Sequence, residues 1–529
     1  MTKVEKVKKL AKQTFCILFV LLYNLLICGS FSVSSASVSD TITYRIDYVQ
    51  EPENAMMKIQ LTFQGEKGSQ NSYELDAYKV IYEFGTNKLL DVQYETVLLE
   101  EPFQSSQQHS LPLFVDLSEI DEKMVKTKVI LLDQNNELKP ITVTPGGTNE
   151  WFTFINAPDY YYEEQQKVTE KIYNLYEQKS EHEFLVFGVM SDSHIGIGIP
   201  EEKLLKESLA HGIFALNTVG LEIGSDFVVH LGDTTWKNNI DSYDSYAGSV
   251  YTTDAFQMVA NYYNNSMYLI GNHDQTNDHT KQWSAIGKYN QFEETGLNPK
   301  RSYGYTDFSD KKVRVITLNT CDYLNGTGSY GLSYEQRDFF MKALDLSQKE
   351  DVAEWKILIL SHIPLDFYYK STQWTDYDVT KDVIGILKAY EEGGSYTIQV
   401  NPPWKTIHDD TISQKTLTYN YAGKNQAKII GNIHGHLHND CYGTLAYTDM
   451  EGERFTTDIV RVSTPNTAFY GAKATAYPNN GDYVAKEIKK VANTAKDTSV
   501  TFYMIDLTDG VIYSFAYGAG NDRVIPFEI

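Results

Sequence analysis

Five short apolar runs between residues 184 and 438 each stop on Asp, Asn or His. FLVFGVMSDSH ends on Asp192 and His194, FVVHLGD on Asp233, and MYLIGNHD on Asn272, His273 and Asp274. ILILSHIP ends on His362, and IIGNIHGHLH on His436 and His438. Runs of this length and composition read as buried strands, and EEKLLKESLAHGIFALNTVG between the first two carries apolar residues at helical spacing. Alternating strands and helices build a layered α/β fold, in which sites form beyond the carboxyl ends of the strands. Any one of these endings is weak, because Asp-x-His and Gly-Asp are common. Five in order, each just after an apolar strand, demand a fold that gathers them at one rim.

KVRVITLN is a strand, SVYTTDAFQMVANYYNN a helix, and SYEQRDFFMKALDL a helix with Ser333 as N-cap and Gln336 at N3, a capping-box pattern. TSVTFYMIDL and GVIYSFAYG form a closing hairpin around Thr508–Asp509–Gly510. Residues 365–425 are too long for a plain connection and read as a lid or substrate loop. Upstream, residues 40–155 hold short β-rich runs broken by Gly, Asn and Pro, the pattern of a β-sandwich-like domain. Residues 157–183 read as a helical connector, and 184–529 as the α/β domain.

The N-terminus has the pattern of a secretory leader: a lysine-rich start, the apolar run TFCILFVLLYNLLIC and the small-residue stretch GSFSVSSAS. Ser34 and Ala36 suit the −3 and −1 positions, placing cleavage after Ala36 and the leader at residues 1–36; an uncleaved membrane anchor is the other outcome. The chain is therefore expected to be secreted or held at the cell surface, with residues 40–155 free to contact surface or wall. Of four cysteines, Cys16 and Cys28 lie in the leader, so Cys321 and Cys441 remain and make no disulfide scaffold. The net charge of −24 argues against wrapping duplex nucleic acid, which wants a basic face. A small phosphate-bearing substrate stays compatible, because a bound cation can invert the local field.

Carboxylate, amide oxygen and imidazole are ligands for borderline divalent metals such as Mn, Fe or Zn. Two such ions about 3.5–4 Å apart can share a carboxylate and clamp a phosphate. Of the remaining histidines, His230 lies inside a strand and reads as a core residue. His434 shares the phase of His436 and His438 but is surplus to the ligand count, and reads as a supporting group or spectator. His182, His211, His279 and His408 have no motif around them and read as surface or packing residues.

Asp-x-His, Gly-Asp, Gly-Asn-His-Asp, a strand-terminal His and Gly-His-x-His, in that order, resemble the calcineurin-like metallophosphoesterase family. The resemblance runs from about Phe184 to the C-terminus and implies a four-layer αββα sandwich with a dinuclear metal site at the sheet ends. It implies Asp192, His194 and His438 on the first metal, Asp233 as bridge, and Asn272, His362 and His436 on the second. It makes His273 the general acid that protonates the leaving oxygen, or a group that stabilises the phosphate, with Asp274 beside it in the catalytic set. Two departures narrow the family. GDTTWK lacks the further Asp and Arg of the protein Ser/Thr phosphatases, and GNHD stands where they carry GNHE. His194, and Trp236 in place of a metal-binding Tyr, argue against a purple acid phosphatase. Arg523 in the terminal GAGNDR is either a surface residue or a phosphate contact. The expected activity is hydrolysis of a phosphomonoester or phosphodiester of a small molecule, nucleotide or envelope polymer, through two divalent ions and a bridging hydroxide. The alternative is a cell-surface binding or adhesion protein with a non-catalytic domain of this kind.

Overall fold

The computed structural model describes residues 157–529 except 237–242, 261–262, 264, 275–289, 291–301, 325–329, 367–376, 401–414, 449–453, 470–483 and 487, together with the backbone of seven strands within 41–154. Those strands are β1 (Thr41–Glu51), β2 (Asn54–Gln64), β3 (Glu74–Phe84), β4 (Asp91–Gln104), β5 (Ser110–Asp116), β6 (Met124–Asp133) and β7 (Glu150–Phe154). They pair antiparallel in the orders β1-β2-β5 and β4-β3-β6-β7. The leader, His279 and His408 lie outside the described residues.

Two larger sheets follow. The first has the order β10-β9-β8-β22-β23-β24, made of β8 (Phe184–Met190), β9 (Phe227–His230), β10 (Ser266–Tyr268), β22 (Ser499–Asp506), β23 (Val511–Gly518) and β24 (Arg523–Pro526). The second has the order β11-β12-β15-β18-β20-β19-β21: β11 (Gly304–Phe308), β12 (Val313–Leu318), β15 (Lys356–Ser361), β18 (Lys428–His434), β19 (Asp440–Thr448), β20 (Arg454–Ser463) and β21 (Val484–Lys486). The short pairs β13 (Tyr323–Leu324) with β14 (Tyr330–Gly331) and β16 (Ser395–Val400) with β17 (Lys415–Asn420) stand apart. β8, β9 and β10 run parallel, as do β12, β15, β18 and β20, so their carboxyl ends emerge on common rims.

The continuous apolar character of these strands has a direct cause: both faces are covered. Side chains alternate across a strand. In β8, Leu185, Phe187 and Val189 enter the core between the sheets, where Val313, Val315, Leu358, Leu360 and Ile430 meet them. Phe184, Val186 and Met190 face outward beneath helices. That outer layer is α1 (Asp159–Gln178), α2 (Glu202–Glu222) and α3 (Tyr243–Ala260) on the first sheet. On the second it is α4 (Tyr334–Ala343) and α5 (Tyr377–Glu391), packed on Ile316, Leu318, Ile357 and Ile359. The result is helix, sheet, sheet, helix, the four-layer αββα sandwich that the resemblance implies.

Ser333 caps α4 as the pattern predicts, its hydroxyl accepting from the Gln336 N–H at 3.2 Å. Two segments depart from expectation. Residues 365–425 are not a plain lid, because α5 and the β16–β17 pair lie within them; Val379, Val383, Ile384 and Leu387 give α5 an apolar stripe that packs into the outer core. The connector is part of the same scaffold, since Tyr161, Val168 and Ile172 of α1 are fully buried with α2 and β22 residues.

Candidate metal centre

Each parallel strand delivers its terminal residues to the rim where the two sheets meet. Hydrogen bonds between the loops, within and across the sheets, hold them together. The His436 N–H donates to the Asp192 carboxylate at 3.0 Å, the Gly435 N–H to the His362 carbonyl at 3.1 Å, and the Ala468 N–H to the Asp192 carbonyl at 3.2 Å. Asp192, His194, Asp233, His436 and His438 all have positive φ, five of the eight such non-glycine residues among those described. Asp and His tolerate this left-handed region better than most residues, yet it still costs energy, and such strain clusters at functional sites. Here it turns five polar side chains just past the strand ends toward one point.

Two groups of ligand atoms form there. Asp192, His194, Asp233 and His438 make one, and Asp233, His362 and His436 the other. His438 Nε2 lies 3.1 Å from Asp192 Oδ1 and 3.0 Å from His194 Nε2. His362 Nε2 lies 3.1 Å from Asn272 Oδ1. The shared residue contributes a single atom to both: Asp233 Oδ2 is 3.5 Å from His194 Nε2 and 3.3 Å from His362 Nε2. Its other oxygen is held by the His273 N–H at 2.8 Å.

Backbone carbonyls orient the rings. The Nδ1 atoms of His194, His362 and His273 lie at 3.2, 2.9 and 2.8 Å from the carbonyls of Thr235, Leu231 and Trp236. Each Nδ1 therefore carries the proton and each Nε2 faces the centre, the orientation a metal-binding imidazole needs. Imidazole nitrogens, an amide oxygen and two carboxylates gathered this closely call for positive charge, so this donor set fits divalent cations. The local field agrees. Burial opposes ionisation of Asp192 and Asp233, but the imidazoles around them prevail and hold both carboxyls well below the usual range. Burial pushes His194 down to about 4 and His436 to about 3. Burial also opposes the charge on His362, yet Asp233 outweighs it and raises His362 to about 9.

His273 stands at the mouth, one-fifth exposed, with Nε2 4.0 Å from Asp233 Oδ2. Asp274, expected beside it in the catalytic set, is placed elsewhere. It is fully buried, and its carboxylate accepts from the N–H groups of Asp233, Thr234 and Gly271 and from the Thr234 hydroxyl. Both oxygens are thus spent on the turn that presents Asp233, and Asp274 is a positioning residue. His230 is a satisfied core histidine: its Nδ1 accepts from the Gly232 N–H, and its Nε2 lies 2.8 Å from the Ser193 hydroxyl. His211 is buried between Asp497 and Tyr517, and half-exposed His182 faces Asp506. Arg523 is not a surface residue. Buried, it donates from Nε to Asp440 Oδ1 at 2.7 Å and so ties β24 of the first sheet to β19 of the second, two residues past His438. Cys321 and Cys441 are both buried and not joined in a disulfide.

Sequence reasoning overlooked two further loops at this rim. Thr320, after β12, accepts the Ile363 N–H beside His362, and Thr467, after β20, donates its N–H to the Ser191 carbonyl. Both follow apolar strands, in ITLNTCD and IVRVSTPNT, so the pattern that flagged the other five runs extends to them.

Residues 185–440 match the family described as calcineurin-like phosphoesterase. Among solved structures, the purple acid phosphatase PPD1 from yellow lupin (Lupinus luteus) seeds is 11% identical, with a TM-score of 0.37 over 92% of this chain and 74% of its own. PhoD is 11% identical, with a TM-score of 0.34 over 94% of each chain. No curated protein matches. Residues 185–440 thus carry a domain of the calcineurin-like phosphoesterase family, a hydrolase of phosphoric esters, and their His and Asp side chains form a site fitted to divalent metal.

Proposed function

We propose that this protein is an exported phosphoesterase that hydrolyses a phosphomonoester or phosphodiester with two divalent cations, Mn, Fe or Zn. The observation that carries the reading is Asp233 Oδ2, which stands in both ligand groups at once. Asp192, His194 and His438 would hold one ion with it, and Asn272, His362 and His436 the other. When bound, such a pair supplies Lewis acidity toward phosphoryl oxygen and acidifies a coordinated water toward neutrality.

The chain's own residues do the rest. Asp274 and the His273 N–H hold Asp233 so that one oxygen, and not two, faces the centre. The Trp236 carbonyl holds Nδ1–H of His273 and directs Nε2 to the mouth of the site. A proton on that Nε2 can pass to the departing oxygen of the ester while Nδ1–H stays on Trp236, which is general acid catalysis. The substrate is a small molecule, nucleotide or envelope polymer reached after export and cleavage behind Ala36.

The test is metal analysis of the purified chain combined with hydrolysis of p-nitrophenyl phosphate and bis-p-nitrophenyl phosphate. Two ions per chain and turnover of at least one ester are expected, and the ratio of the two rates assigns the ester class. A fully metal-loaded chain that cleaves neither ester overturns the reading in favour of a binding protein.

A further inference from the structure

We propose that His434, Arg461 and Asp366 form a positioning relay that fixes the loop bearing His362 against the loop bearing His436, and thereby sets the hold on the ion shared by those two histidines. The three are buried. Arg461 Nε donates to His434 Nε2 at 3.1 Å, and Arg461 Nη1 pairs with Asp366 Oδ1 at 2.9 Å. A guanidinium only donates. His434 Nε2 is therefore the acceptor, the ring is neutral, and its proton sits on Nδ1, which donates to the Gly435 carbonyl at 2.8 Å. Neither ring nitrogen is left for a cation, which explains why three alternating histidines supply only two ligands.

The ends of the relay fall where the ligands are. Asp366 is four residues beyond His362, and its second oxygen accepts the Ala446 N–H. The peptide of Gly435 is gripped from both sides: its carbonyl takes the His434 proton, and its N–H donates to the His362 carbonyl at 3.1 Å. Arg461 sits opposite Asn432 in the β18–β20 pairing, and Asn432 in turn lies 2.9 Å from the Ser361 hydroxyl, next to His362. A buried ion pair adds little net stability over an apolar replacement. What this one supplies is a fixed distance between two loops that no strand ladder joins beyond Ser361 and His434. Supporting groups of this kind are worth about 10–100-fold in metal affinity.

The inference rests on the two-ion reading above, and one experiment separates the two. The full-length chain is stripped with chelator and titrated with Mn²⁺ by calorimetry, with bound metal counted by mass spectrometry. The variants are D366N, R461M, H434N and H434Q, and H362A marks the ion in question. A wild-type chain that binds fewer than two ions overturns the two-ion reading and this one with it. With two ions bound, D366N and R461M are expected to weaken the ion lost in H362A at least tenfold and the other by no more than about twofold. H434Q, which keeps an acceptor for Arg461, should be less impaired than H434N. Equal weakening of both ions, or none, in folded variants overturns the relay. If R461M fails to fold by circular dichroism, the H434N and H434Q pair decides, because it leaves the Arg461–Asp366 charge pair whole.

Discussion

A polar side chain can serve a reaction by touching the reacting atoms or by holding the residue that does, and we propose that His273 and Asp274 divide those roles. His273 faces the mouth, while Asp274 faces the backbone beneath it. His273→Asn is therefore expected to lower kcat by about 10²–10⁴-fold, with metal content unchanged; steady-state kinetics and metal analysis on one preparation check both halves. Full turnover in that variant would remove the acid role. Asp274→Ala strips the partner from three buried N–H groups and a hydroxyl. With each stranded donor costing about 1–3 kcal/mol, the loss in urea unfolding should be about 3 kcal/mol or more, and metal affinity should fall with it. An Asp274→Ala chain as stable as wild type would show that the turn does not depend on this carboxylate.

Loops at the rim are packed as closely as the strands that carry them. Gly435, between two histidines, has no room for a side chain: a Cβ there would lie 2.0 Å from Ser191 Oγ and 2.7 Å from Asp192 Oδ2. Gly435→Ala must push the loop after β18 away from the loop after β8, because both neighbours belong to the site. The expected result is at least tenfold weaker metal binding with an unchanged far-ultraviolet circular dichroism spectrum, since no strand ladder includes Gly435. Wild-type affinity in a folded Gly435→Ala chain would mean that the two loops are not coupled through this contact.

Over the whole molecule, the buried centre makes the metal-free chain sensitive to pH from both sides. His194 and His436 titrate lower in the folded state than when unfolded, at about 4 and about 3. Below about pH 6.5 the unfolded chain takes up protons that the folded one refuses, so stability falls as pH drops toward those values. His362 is the reverse case, raised to about 9. Its contribution is complete below about pH 6.5 and is lost as pH rises through 9. Scanning calorimetry of chelator-treated protein should show a melting temperature that peaks near neutrality and declines on both sides. Saturating Mn²⁺ should raise it, because an ion that binds only the folded state adds to stability by mass action. A melting temperature flat from pH 4 to 9 without metal would contradict the charge arrangement of the site.

The layered fold was legible in the residues because local chemistry repeats along the chain. Apolar runs such as FLVFGVM and KILILS need cover on both faces, and amphipathic stretches such as EEKLLKESLAHGIFALNTVG supply it. The side chains gathered at the rim were legible too, because Asp and His at strand ends are few and chemically distinctive. α5 was hidden in the long stretch after His362, where a short apolar stripe sits among aromatic and polar residues. What only the tertiary structure decided are relations between residues far apart in sequence. That Asp233 offers one oxygen to two groups, that Asp274 turns away from the centre, that Arg523 clamps one sheet to the other, and that His434 spends both nitrogens on its neighbours all depend on direction. Composition and spacing specify which side chains arrive at the rim. The orientation of each is set by backbone carbonyls, left-handed turns and packed loops, which exist only once both sheets have closed on their common core.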